Sequence, residues 1–239
     1  MMRRFLLSLV AALTLALPAR AEITTEARFD VYFSGIRAGI VVFKGITTDT
    51  QYSVAGRLQS TGLLRLVADL RYDAVSVGRI AGDTFVPVRY TESADTGQRQ
   101  SDAEMEYRRG VPQVKAYSPP REPKPFDLDP ATQGGTLDPA AAVFFLLRDA
   151  PEAEACRGAV PVFDGQRRSS LTVDNPRRQG DRLICDGEYR RVAGFSPAEL
   201  GEKAQFPFTV TYRQNGDGLM QVDEVRIDTL YGVARLDRR

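Results

Sequence analysis

The sequence contains no histidine and no tryptophan among its 239 residues, and only two cysteines. Without histidine there is no imidazole to serve as general base near neutral pH, to activate a serine or cysteine nucleophile, or to bind a transition metal. Two cysteines alone do not make a structural zinc site either. No cofactor is implied, and an enzyme built from this chain would have to work with carboxylates, tyrosine, lysine or serine. The absence of tryptophan leaves stacking on sugars or bases to Tyr and Phe. Lysine is scarce too: only Lys44, Lys115, Lys124 and Lys203 contribute to the 32 basic residues, the rest being arginine. A genome rich in G and C accounts for that bias more simply than selection for bidentate anion recognition. The formal net charge of +1 offers no electrostatic footprint for nucleic acid.

The N-terminus reads as an export signal. Arg3 and Arg4 precede an apolar run from Phe5 to Leu17, and Ala19-Arg20-Ala21 forms a small-x-small cleavage site. The run is too short to cross a bilayer as a helix, and no stop-transfer pattern follows. Cleavage after Ala21 exposes Glu22 rather than a cysteine, so the expected product is a periplasmic protein without a lipid anchor or transmembrane segment. Removing 21 of 239 residues leaves 218, consistent with a single domain over 22–239, and removing three arginines takes the charge from +1 to −2. In an oxidising compartment Cys156 and Cys185 should pair with each other. Their distance in sequence argues for a structural staple rather than a redox-active C-x-x-C centre.

Period-two alternation dominates the rest of the chain, which puts successive side chains on opposite faces of strands. It begins with Ile23, Thr25, Ala27, Phe29, Val31 and Phe33, continues after a turn at Ser34 to Gly39, and recurs to Leu236. Ala81-Gly82-Asp83, Arg109-Gly110, Asp164-Gly165 and Asn215 to Gly218 supply the turn chemistry between runs. The pattern predicts a mainly β protein of about twelve antiparallel strands, arranged as a strongly curved sheet or an open or spiral β-barrel. One helix is expected over 138–149, with Asp138 as N-cap and Pro139 at its first position. It is apolar almost all round and should be buried against the sheet. Gly62 to Ala68 is a weaker candidate for a helical turn. Ser118 to Gly135, with five prolines, should be an extended surface loop.

Few residues carry a chemical signature. Asp102, Glu104 and Glu106 share one strand face, which fits a Ca²⁺ site or a hydrolytic carboxylate pair less well than a solvated face. Asp127 and Asp129 form only an isolated D-x-D. In Val162 to Leu171 an Asp164-Gly165 turn aims Arg167 and Arg168 to opposite faces, and Cys185 to Val192 carries a second arginine pair, Arg190 and Arg191. The structural reading is a disulfide-stapled corner; the functional one is a basic lip, with Arg167, Arg168, Tyr189 and Arg190 holding an anionic head group or peptide carboxylate.

Phe29-Asp30-Val31-Tyr32 with Gly35 and Ala38-Gly39, Thr61-Gly62-Leu63-Leu64, Asp138-Pro139, Val162-Phe163-Asp164-Gly165-Gln166-Arg167-Arg168 and Tyr189 to Phe195 resemble domain-of-unknown-function family 3108 of exported bacterial proteins. The resemblance spans nearly the whole chain after the signal and implies an envelope-associated β-rich domain with no established catalytic residue. A looser likeness in architecture is to periplasmic lipoprotein carriers, whose curved sheet wraps a helix and holds an acyl chain.

These readings favour a noncatalytic periplasmic protein that binds a lipid, a peptide or an envelope protein during cell-envelope maintenance. Two alternatives remain open. One is a hydrolase of envelope glycan using Asp138, Asp164 or the acidic row. The other is a structural subunit that pairs strand edges with a partner.

Overall fold

The computed structural model describes residues 22–239 apart from 63, 64 and 66–68. The signal segment, and most of the expected turn at 62–68, lie outside the described residues. Thirteen strands form one antiparallel sheet: β1 (Ile23–Phe33), β2 (Ile36–Thr47), β3 (Gln51–Ser60), β4 (Arg71–Ala81), β5 (Thr84–Asp95), β6 (Gln100–Arg108), β7 (Val111–Ser118), β8 (Gly158–Phe163), β9 (Arg168–Gln179), β10 (Arg182–Ala193), β11 (Gln205–Gln214), β12 (Met220–Thr229) and β13 (Gly232–Arg238). Their spatial order is β7-β6-β5-β4-β3-β2-β1-β13-β12-β11-β10-β9-β8, so the two ends of the chain pair at the centre and the middle of the chain supplies both edges. Every neighbouring pair is antiparallel, as short hairpin connections require.

Two connections differ from the sequence pattern. The turn after β1 is confined to Ser34 and Gly35 rather than extending to Gly39. The turn between β8 and β9 is wider than a two-residue hairpin, because the Asp164 carboxylate accepts the backbone N–H groups of both Gln166 and Arg167. Strand β9 also runs on through Asn175-Pro176, a dipeptide that reads as a turn. Proline is tolerated there because β8 pairs with β9 only as far as Val173, leaving that side of the strand without a ladder.

The sheet edges do not pair with each other. The segment between β7 and the helix fills the gap: Gly135 N–H donates to Gly110 O beside β7, while Leu137 exchanges hydrogen bonds with Pro161 and Phe163 of β8. Leu128 N–H reaches Gln166 O, and the Tyr117 hydroxyl reaches Gly165 O at 3.2 Å. The expected surface loop, Ser118 to Gly135, is mostly exposed with Gln133 buried, and it also serves as a seam that continues into buried Thr136 and Leu137.

Helix α1 (Pro139–Leu147) lies inside the curve against β3, β4, β5 and β8. It is shorter than the expected 138–149, because Arg148 already has extended backbone. Phe144 is its main anchor, meeting Phe43 and Phe85 with ring centroids 6.1 and 6.0 Å away. Its ring presses on the backbone of β2 at Gly45, where any Cβ would collide with it. A second helix, α2 (Pro197–Glu202), follows β10 and opens on a capping box in which Ser196 and Glu199 satisfy each other's backbone N–H groups. The Cys156–Cys185 disulfide joins the approach to β8 to β10 across the intervening β9, with a Cα–Cα distance of 5.4 Å and both cysteines in the core.

Candidate functional site

Helix α1 does not fill the space inside the sheet. Val143 is 48% exposed although its helix packs against β3, β4, β5 and β8, and its neighbour Phe144 is 1% exposed. Val143 projects into a cavity of about 290 Å³ bounded by Val41, Leu58, Tyr72, Ala74 and Leu236. The strand register explains the void. Gly56 lies between Phe43 and Ala74 in one inward-facing row, so the wall opposite the helix carries almost no side-chain volume there. Such a size is at the lower end of small-molecule sites. Tyr72 supplies a polar atom at the wall, but its hydroxyl is already committed elsewhere.

That hydroxyl donates to Glu92 Oε2 at 2.5 Å, and the Tyr90 hydroxyl donates to the same oxygen at 2.5 Å. The two phenol oxygens are 2.6 Å apart. Burial, followed by neighbouring negative charge, pushes both phenols above the ordinary tyrosine range, so they remain donors at any physiological pH. Glu92 in turn faces a second, polar pocket of about 360 Å³ with Arg99, Tyr117, Lys124 and Arg167 in its walls. The Tyr72–Glu92 contact thus separates an apolar interior from a polar rim, where the seam crosses the turn after β8.

A family model described as protein of unknown function DUF3108 matches residues 28–232. The chain belongs to the DUF3108 family. No curated protein matches the sequence. Among solved structures, a beta-barrel-like protein of domain of unknown function DUF1849 from Brucella abortus is similar at 14% identity and a TM-score of 0.49, covering 91% of this chain and 96% of that one.

In this DUF3108 chain the four arginine and tyrosine candidates do not gather in one place. Arg167 reaches the rim pocket, although its guanidinium also holds Glu199 at 3.0 Å and lies 4.9 Å from the Phe195 ring. Arg168 turns to Gln133 Oε1 at 3.4 Å on the seam. Tyr189 faces inward against Phe206, whereas Arg190, one residue on, faces outward to Glu188 at 2.7 Å. Arg191, on the same face as Tyr189, donates to Glu199 O and Lys203 O at 2.7 and 3.0 Å and so caps the C-terminal end of α2. Of the four candidates, Arg167 lines the rim pocket, while the ion pairs, the α2 cap and the disulfide tie the corner together.

The carboxylates are dispersed as well. Glu104 and Glu106 lie on the outer face with Arg89 and Lys115, and Asp164 caps its turn. Asp102 lines the rim pocket with Glu92, but from the opposite face of the sheet. Asp127 binds Arg121, and Asp129 caps the short 3₁₀ turn Pro130–Thr132.

Asp138 is wholly buried as the cap of α1, accepting from Ala141 N–H at 2.8 Å and the Ser76 hydroxyl at 2.7 Å. Burial pushes its carboxyl up to about 7, and those hydrogen bonds oppose the rise. The folded chain therefore holds this proton more tightly than the unfolded chain, so the stability it contributes is present below pH ~4 and is lost as pH rises from about 4 to about 7. Asp138→Asn keeps a capping oxygen and removes the titration. Denaturant unfolding of both proteins across that window should show the wild type losing stability with increasing pH relative to the variant. A constant difference would contradict the assignment.

Proposed function

We propose that the protein is a noncatalytic, exported binding protein of the cell envelope that holds the hydrocarbon chain of a lipid beside α1. The observation that carries the reading is the uncovered Val143 facing an apolar cavity inside the sheet. An apolar cavity offers water too few hydrogen bonds, so it favours a nonpolar occupant. The engagement of Pro161 O and Phe163 N–H of β8 by Leu137 supports this reading over pairing of that part of the edge with a partner. The engagement of Asp138 and Asp164 in caps supports binding over glycan hydrolysis, which needs a carboxyl pair flanking the scissile bond. Export is supported by the N-terminal pattern and the disulfide.

Titration of the folded protein with a pyrene-labelled fatty acid, alongside native mass spectrometry of protein isolated from a periplasm, tests the reading. Saturable binding of one chain per protein is expected, with stabilisation of about 2.7 kcal/mol when free ligand exceeds Kd a hundredfold. Ligand-free mass together with no saturable binding and no thermal shift would reject it.

A further inference from the structure

The outward face of β1–β4 carries a second feature, distinct from the interior cavity. Register places Arg28, Val42, Arg57 and Asp73 in one outward row and Glu26, Lys44, Ala55 and Val75 in the next. These two rows line a groove of about 790 Å³, with Arg71 and Arg239 at its margin. Its floor is apolar, and Val75 is 44% exposed.

The charge is one-sided. Four strand cations, Arg28, Lys44, Arg57 and Arg71, face two groove carboxylates. Asp73 is shared by Arg57 at 2.5 Å and Arg71 at 2.6 Å, so that cluster retains one positive charge. Lys44 is paired with Glu26, while Arg28 has no ion pair among the described residues. This excess stands on a chain whose charge after signal removal is −2 by the arithmetic above. Cations around an exposed apolar floor match a surface that presents phosphates over hydrocarbon.

We propose that this groove docks the protein on the anionic phospholipids of a bilayer surface. Guanidinium and ammonium groups on the walls take the headgroup phosphates, and the valine floor meets the glycerol and upper chain region. The surface lies one strand thickness from the interior cavity, since Phe43, Gly56 and Ala74 border both. The docking does not depend on the cavity holding a lipid.

Co-sedimentation with phosphatidylglycerol–phosphatidylcholine vesicles and with pure phosphatidylcholine vesicles provides the test. Binding is expected only to the anionic vesicles, weakening with salt. The double variant Arg28→Glu/Lys44→Glu should bind at least about thirtyfold more weakly, from the worth of two basic residues near an anionic surface. Arg226→Glu on the exposed face of β12 should bind as the wild type does. Both variants should keep the wild-type melting temperature to within the small change expected of surface charges. Three outcomes overturn the proposal: no vesicle binding by the wild type, equal binding to neutral vesicles, or undiminished binding by the groove variant. Groove-dependent binding of polyglutamate without vesicle binding would overturn it in favour of an acidic polypeptide.

Discussion

Replacing Cys156 and Cys185 together with alanine is expected to lower the free energy of unfolding by about 3 to 4 kcal/mol, the chain-entropy value for a loop of roughly thirty residues. The bond does more here than close a loop, because it spans a strand. It ties the entrance of β8, an edge strand, to β10 in the sheet interior, and both sulfurs sit among core side chains. Cys156 also has a φ of 57°, a left-handed conformation that non-glycine residues seldom adopt. Without the bond no crosslink ties that residue to β10, and 151–157 should relax first. Urea unfolding should show a lower midpoint and a somewhat steeper slope, since the unfolded chain freed of its crosslink exposes more surface. An unchanged midpoint would mean that strand pairing alone holds the β8 margin.

The curved antiparallel sheet was legible because alternation is a local property: Phe29, Val31 and Phe33 reveal their shared face without knowledge of any neighbour. The cap of α1 was equally local, since Asp138-Pro139 is an N-terminus signature. Helix α2 had a readable signal in Ser196 and Glu199, but six residues give no hydrophobic period to confirm it. The candidate site was much less legible. Tyr90 and Glu92 are two apart and share a face, yet their meeting with Tyr72 depends on the β4–β5 register, which pairs Tyr72 with Ala94. The rim pocket joins residues from β5, β6, the seam and the turn after β8; Asp102 and Arg167 each stand in a stretch with a chemical signature, but nothing local in the sequence brings the two stretches side by side. The cavity itself arises from small residues, Gly56 and Ala74, whose effect is visible only once the helix is placed against them. Composition could show that α1 was apolar all round; it could not show that one side would meet a void.

That void makes adjacent residues of α1 respond in opposite ways to substitution. Phe144→Ala should cost about 3 to 5 kcal/mol, because the ring is enclosed by Phe43, Phe85 and the β2 backbone and its loss leaves a hole in packed surroundings. Val143→Ala should cost no more than about 0.5 kcal/mol, since nearly half of that side chain has no protein neighbour to lose. Val143→Phe is the sharper experiment. In a filled core a larger side chain would destabilise by about 1 to 3 kcal/mol through overpacking. Here it should enter the cavity, leave the melting temperature equal or higher, and weaken binding of the fatty-acid probe at least tenfold by occupying the place of its chain. Stability and affinity then separate two questions. A destabilised Val143→Phe protein would show that the interior closes around the helix, whereas a stable one with undiminished affinity would place any bound chain away from α1.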